Sequence, residues 1–391
     1  MNRISGFLRV SVSLVFMVLA VGCEAEKKEV LVDAPPLAYV GSESCAETDC
    51  HADIYADFVK SGHPYKVQKL NGVAPTFPAG TSAGVPNPPA GTSWTDFEYI
   101  IGGYGWKARF LKSDGFVYGT GGSGGGQGLN QYNLATSAFA DYNKTSETKY
   151  DYNCFVCHTT GADPDSAWKP NMFGNFQFTG IQCEECHDKG SQHAFNPDGI
   201  PMLIDRTNAL CGKCHQRGGY TATVPVKSGF VEHHEQYNEL KASPHSNLSC
   251  VTCHDPHKGL LYFRDNSNGN MKIECTSSGC HTGKIQNGPH ASVDCAKCHM
   301  AYTGKSAVAA NVHKGDISSH IFKINDNAFP KDSMFTIGSM TGSGSIRLVS
   351  GKSTGVTLDW ACYSCHKDGN NVGGTGSTKS LSELSAYDVH P

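Results

Sequence analysis

Excess positive charge is missing from this 391-residue chain. Its 32 Lys and Arg face 36 Asp and Glu, a net charge of −4, which excludes binding to nucleic acid through a basic face. Long apolar runs are missing too. The run Val10 to Ala20 has 11 residues, too short to span a bilayer. Apolar side chains make up only 39% of the chain, so bound cofactors are expected to supply much of the core. With 44 Gly and 18 Pro, the chain stays below the level of a disordered low-complexity sequence. The glycine-rich stretch Gly119 to Gly128 has no Lys-Ser/Thr end and no helical pattern after it, so it reads as a loop and not as a phosphate cradle.

Cysteine is what the chain has in quantity. Of 17 cysteines, 16 fall into eight units that end in Cys-His. Six read C-x-x-C-H: Cys154/Cys157/His158, Cys183/Cys186/His187, Cys211/Cys214/His215, Cys250/Cys253/His254, Cys295/Cys298/His299 and Cys362/Cys365/His366. Two are stretched to C-x4-C-H: Cys45/Cys50/His51 and Cys275/Cys280/His281. Chance at this composition supplies about 0.03 copies of C-x-x-C-H, the motif of c-type haem attachment. Each cysteine pair is spaced for two thioether bonds to one haem, and the next residue is the proximal histidine to its iron. Zinc ribbons also use C-x-x-C pairs but need no histidine after each, and disulfides leave the histidines unexplained. The reading is eight covalently bound c-type haems.

Ten histidines remain: His63, His193, His233, His234, His245, His257, His290, His313, His320 and His390. The pool is large enough to give every iron a second imidazole. Methionine, the other axial ligand, is scarce at eight copies, two of them in the N-terminal signal. His257 stands three residues after His254 and cannot easily reach the iron its neighbour serves; it is expected to cap the next haem, with His245 and His290 doing likewise. His233 and His234, if helical, point roughly 100° apart, so one of them is expected to ligate. The pattern P-H-x4-C-x2-C-H occurs at Pro244 and again at Pro289, which reads as a duplicated haem unit.

Along the chain, residues 1–22 have the cationic start and apolar run of an export signal. They lead to Cys23, the cysteine left over, where a small residue before Cys resembles the bacterial lipobox and marks a lipid-anchored tether over 23–40. Residues 41–150 hold the first haem unit and a Gly/Pro-rich insertion. Within it Phe97–Ile101, Trp106–Leu111 and Phe116–Tyr118 are expected as strands, separated by Gly102-Gly103 and Ser113-Asp114-Gly115 turns. Residues 151–300 form a haem-dense core of six units, whose first cysteines stand 29, 28, 39, 25 and 20 apart. Residues 301–391 add a second strand-bearing insertion, about Phe335 to Leu358, and the eighth unit. The expected fold class is a multihaem cytochrome c, mostly α and irregular around stacked haems, with small β insertions.

Several stretches resemble the multihaem c-type cytochromes of metal-reducing and sulfur-metabolising bacteria, a superfamily that includes hydroxylamine oxidoreductase and the octahaem tetrathionate and nitrite reductases. They are C-x4-C-H-A-D-I-Y-A-D-F-V-K-S-G-H-P at 45–64, C-E-E-C-H-D-K-G-S-Q-H at 183–193, H-E-Q-Y at 234–237, C-V-T-C-H-D-P-H at 250–257 and G-D-I-S-S-H-I-F-K-I at 315–324. The resemblance implies His63, His193, His234, His257 and His320 as distal ligands. Adding His245, His290 and His390 makes eight, with His233 and His313 left over. It implies an electron carrier, exported and held at the outer membrane by its lipid. The expected partners are other c-type cytochromes or a porin-cytochrome conduit and extracellular or periplasmic acceptors, with no nucleic acid. The other function class it offers is a reductase of nitrite, hydroxylamine or a sulfur oxyanion. The C-x-x-C-K haem of many nitrite reductases does not occur here, and none of the 16 Tyr is singled out as a cross-link to haem.

Overall fold

In the computed structural model, residues 33–119, 129–146, 148–163, 175–216, 223–259, 271–286 and 288–387 are described. The signal, Cys23, most of the tether, most of the glycine-rich loop and His390 lie outside the described residues. The eleven α-helices among the described residues have four to seven residues each. Helices this short are not stable alone; most carry or flank a cysteine motif and are held by what packs on them. No described helix is long and apolar enough to cross a membrane.

The first insertion is a seven-stranded sheet. Its main path runs Val67–Lys69, Tyr99–Gly102, Lys107–Leu111, Phe116–Val117 and Thr148–Lys149, with Gln131–Asn133 pairing on Lys107–Leu111 and Ala138–Ala140 beyond it. All its pairings are antiparallel. The glycines expected to turn the chain do so with positive φ: Gly102 at 74°, Gly103 at 89° and Gly115 at 85°. A Cβ on Gly102 would stand 2.6 Å from the Lys107 carbonyl oxygen.

Strand alternation gives this sheet two cores. Ile100, Ala108 and Phe110 pack with Leu70, Val85, Phe97, Tyr118 and Tyr132 beneath the loop that precedes Trp94. The intervening residues Tyr99, Ile101 and Leu111 turn to the other face, where Val67, Val117, Tyr150 and Phe155 meet them. Phe155 lies inside the second cysteine motif. The insertion is therefore docked on a haem unit through its own pleat.

A third core joins segments far apart in sequence. A four-stranded sheet runs Gly304–Lys305, Phe230–Glu232, Pro225–Lys227 and Ser343–Ser345, so the C-terminal insertion pairs with strands from the middle of the chain. Trp360, Phe335, Met334, Ile321 and Val356 are fully enclosed there with Val224, Val226 and Val231. The helix Leu358–Ala361 leads from this core directly to Cys362.

Residues 33–40 lie along the third motif. Gln192 donates to the Pro35 carbonyl (3.1 Å), Ser191 Oγ to the Pro36 carbonyl (2.8 Å), and the Ala38 N–H to Ser191 Oγ (2.8 Å). The buried carboxylate of Glu184 accepts from the N–H groups of Val40 (2.9 Å), Gly41 (2.8 Å) and Gly190 (2.8 Å).

Candidate haem sites

The cysteine motifs sit on single helical turns for a geometric reason. A spacing of three puts both sulfurs on one face of a helix, and the histidine follows at the fourth position. The backbone then closes by a bond from the histidine N–H to the first cysteine carbonyl: His215 to Cys211 at 2.9 Å, His254 to Cys250 at 2.9 Å and His366 to Cys362 at 2.8 Å. The two stretched units close with the same bond, His51 to Cys45 and His281 to Cys275, both 3.0 Å. Their extra two residues bulge into turns, with Gly279 at φ 84° in the second. The backbone of the longer units thus reaches the same closure as that of the shorter ones. Among the described residues none of the sixteen motif cysteines is in a disulfide.

The first stretched unit holds its two cysteines at different depths. In the structure Cys45 is half-buried, whereas Cys50 is exposed. The two added residues form a turn closed by the Cys50 N–H on the Glu47 carbonyl at 2.9 Å, and this turn carries the second cysteine to the outside of the unit. Cys50 still lies close enough to raise the Cys45 thiol by its charge, although the Cys183 sulfur and burial act on that thiol more strongly. In the other stretched unit both Cys275 and Cys280 are exposed, and so is Cys365 of the unstretched eighth motif.

Six motif histidines each face a histidine from elsewhere in the chain. Ring centroids are 6.3 Å apart for His51 and His193, 6.4 Å for His215 and His63, and 6.2 Å for His187 and His257. They are 6.2 Å apart for His254 and His320, 6.1 Å for His366 and His290, and 5.7 Å for His281 and His245. Two metal–nitrogen bonds of about 2 Å, back to back with the depth of two rings, call for a separation of this size. Five of these rings are also held neutral by burial. Burial holds His63 and His320 down to about 3 and lowers His215, His254 and His245, which keeps each imidazole neutral, as a ligand must be. The residues fit a haem iron between each pair.

These pairs correct one expectation. His257 faces His187 of the third motif, behind it in sequence, and not the next unit. His245 and His290, the two copies of the repeat, behave alike: each skips the motif it precedes and faces the one after. His233 and His234 lie in a turn after the strand Phe230–Glu232, not on a helix, and their rings are 3.7 Å apart instead of diverging. His313, left over in the sequence, is buried between Asp368 (3.1 Å) and Asp359 (3.7 Å) with its ring on Tyr363.

Contacts between motifs set their spatial order. The Cys45 and Cys183 side chains lie side by side, as do Cys211 and Cys250. Cys186 neighbours Cys211, Cys253 neighbours Cys280, Cys275 neighbours Cys295, and Cys298 neighbours Cys362 and Cys365. The first, third, fourth, fifth, sixth, seventh and eighth motifs therefore form one unbroken file. The second joins it at the fourth, where Cys157 Sγ meets the Lys213 carbonyl and Cys214 Sγ the Val156 carbonyl, each at 3.6 Å.

The other ring nitrogen of a ligating histidine is normally tied to an acceptor that fixes its orientation. Nδ1 of His187 lies 2.8 Å from the Leu203 carbonyl, that of His299 2.7 Å from Phe322, and that of His366 3.2 Å from Ser377. Phe322, not singled out in the sequence, aims that carbonyl from a backbone at φ 60°. Its ring touches His245 (4.6 Å) and His320 (5.8 Å). Glu239 is a second residue the sequence did not reveal. It accepts from Ser319 Oγ and from the His320 N–H, both 3.0 Å, and burial pushes its carboxyl up to about 8. At His158, burial and then the charges of Lys66 and Lys107 hold the imidazole down to about 4.

With this geometry in place, comparisons with known proteins name the class. The family profile described as cytochrome c554 and c-prime matches residues 128–188, which include the second and third motifs. No curated protein matches the chain by sequence. Among solved structures, the octahaem sulfite reductase MccA of Wolinella succinogenes is similar over 90% of this chain and 67% of its own, at 19% identity and a TM-score of 0.55. The outer cell wall cytochrome OcwA aligns over 74% of this chain and 80% of its own (18% identity, TM-score 0.48). An undecahaem cytochrome from the S-layer of Carboxydothermus ferrireducens aligns over 69% and 52% (19%, 0.44). The chain has the multihaem cytochrome c fold. The match to a cytochrome c profile supports covalently bound c-type haem.

Proposed function

We propose that the chain is an eight-haem electron carrier, exported and tied by Cys23 to the outer membrane, where it hands electrons between c-type cytochromes or a porin-cytochrome conduit and an external or periplasmic acceptor. The observation that carries this reading is the set of six facing imidazole pairs set along one file of motifs. In the proposed arrangement each motif contributes two cysteines and a proximal histidine, the exposed Cys50 included. His193, His63, His257, His320, His245 and His290 supply the second imidazole from another segment, and His234 and His390 complete the set. Haem iron held by two imidazoles supplies outer-sphere electron exchange. The surrounding residues keep neighbouring motifs in contact and the imidazoles neutral.

Purified protein tests the reading directly. The pyridine haemochrome assay and intact mass are expected to agree on eight haems; six would mean that the stretched units stay empty. EPR of the oxidised protein should show two classes of low-spin iron, because ring planes differ. They are nearly parallel for His187–His257 (5°) and His51–His193 (13°), and nearly perpendicular for His63–His215 (89°) and His290–His366 (69°). Parallel rings split the iron d orbitals they share, and crossed rings leave them nearly degenerate. A single class would overturn the pairing. Cys23→Ala should move the protein from the membrane to the soluble fraction with all haems retained; a variant still in the membrane fraction removes the lipid from the proposal.

The surroundings of His158 favour a second reading, reduction of nitrite, hydroxylamine or a sulfur oxyanion. The charges acting on that ring are two cations, Lys66 and Lys107, a field that suits an anionic ligand. Reduced protein that binds little carbon monoxide and turns over neither nitrite nor tetrathionate supports the carrier. Stoichiometric carbon monoxide binding with steady turnover selects the reductase.

A further inference from the structure

The β insertion reaches into the haem array at one point. Tyr150 follows the edge strand Thr148–Lys149, and its N–H donates to the Gly115 carbonyl at 3.0 Å. Its ring is 3% exposed. It packs edge-on to Phe155 at 5.1 Å and 76°, among Val67, Leu111 and Val117. The next residue, Asp151, caps the helix Tyr152–His158 by accepting from the Asn153 N–H at 3.0 Å. Sheet and helix together place the phenol oxygen 2.8 Å from Nδ1 of His158.

That contact differs in kind from those of the other motifs. His187 and His299 direct Nδ1 at backbone carbonyls, His366 at the Ser377 carbonyl (3.2 Å) and hydroxyl (3.4 Å) and His215 at the Gln236 amide oxygen (3.4 Å), whereas His158 meets a phenol at 2.8 Å. With Nε2 given to iron, Nδ1 carries the proton and donates it to the phenol oxygen. A phenol keeps its proton at neutral pH, so the acceptor is a neutral phenol and not a phenolate. A neutral phenol draws less on the imidazole proton than a peptide carbonyl does. The imidazole then gives less negative charge to the metal, and the reduced iron is favoured.

We infer that Tyr150 is a positioning residue that sets the reduction potential of the haem held by Cys154, Cys157 and His158, and that the β insertion serves to hold it there. The inference rests on the reading of His158 as a proximal ligand. It assigns a task to an insertion whose sequence shows only strands.

Spectroelectrochemical titration of the intact holoprotein tests it with Tyr150→Phe, which keeps the ring and removes the acceptor. Without an acceptor the imidazole loses its remaining anionic character, so one-eighth of the absorbance change should shift to higher potential while the other seven-eighths superimpose on wild type. Site-specific 3-fluorotyrosine, nearly the same shape but a weaker acceptor, should shift the same fraction in the same direction by less. Val117→Ala, which loosens the same core but leaves the phenol, should not move it. Curves that superimpose for both Tyr150 variants at full haem content overturn the proposal. Loss of one haem in Tyr150→Phe also overturns it, because the residue then serves attachment. A wild-type protein that carries no haem on the Cys154 peptide would instead remove the underlying reading of His158.

Discussion

Replacing His257 by alanine is expected to turn one iron from low spin to high spin and to let the reduced protein bind one equivalent of carbon monoxide. His257 faces His187 at 6.2 Å with ring planes 5° apart, and its side chain is 39% exposed. Alanine at this position leaves an opening that water and small ligands reach from solvent. The haem itself should remain, since Cys183 and Cys186 still hold it and the His187 Nδ1 contact to the Leu203 carbonyl is untouched. Haem content should stay at the wild-type value while one parallel-plane low-spin EPR signal disappears and a high-spin signal takes its place. Electron transfer through the file should slow, because the third motif lies between the first and the fourth. The decisive outcome is the identity of the lost signal. If the perpendicular class is reduced instead, His257 serves another iron; if nothing changes, it serves none.

Glu184→Ala should be the most destabilising single change among the polar residues. The carboxylate is 3% exposed and accepts three backbone N–H groups, two of them from the segment entering the first motif. Alanine leaves these donors buried without a partner at about 1–3 kcal/mol each. The expected loss is on the order of 3–5 kcal/mol, at the upper end of single-residue effects. Glutamine keeps one acceptor oxygen and should fall between. The loss should show as a lower guanidinium midpoint and as faster proteolysis near Val40. Haem release is not expected, because the attachment is covalent. An alanine variant with the wild-type midpoint and protease pattern would mean that the N-terminal segment contributes nothing to the fold.

Much of this was legible in the sequence because it is local. The strands over 97–118 were visible because alternation and glycine turns act between near neighbours. The pairing of Pro225–Lys227 with Ser343–Ser345 was not, since nothing in either segment specifies a partner over a hundred residues away. The ten spare histidines were countable, but their partners were not. His257 lies three residues from His254 and faces His187; the chain direction that suggested the next haem carries no information about the direction in space. His233 and His234 were read with helical geometry, whereas the strand before them ends in a turn that brings the two rings to 3.7 Å, tilted by 46°.

What the sequence by itself determined is the attachment chemistry. The Cys-His units specify their own turn, since all their atoms fall within five or seven residues and close by one backbone hydrogen bond. Which imidazole faces which, the file of motifs, the second motif joining at the fourth, and the phenol of Tyr150 on His158 were decided by tertiary structure alone. Those relations depend on how two sheets and a dozen short segments pack, and no residue carries them within its own neighbourhood.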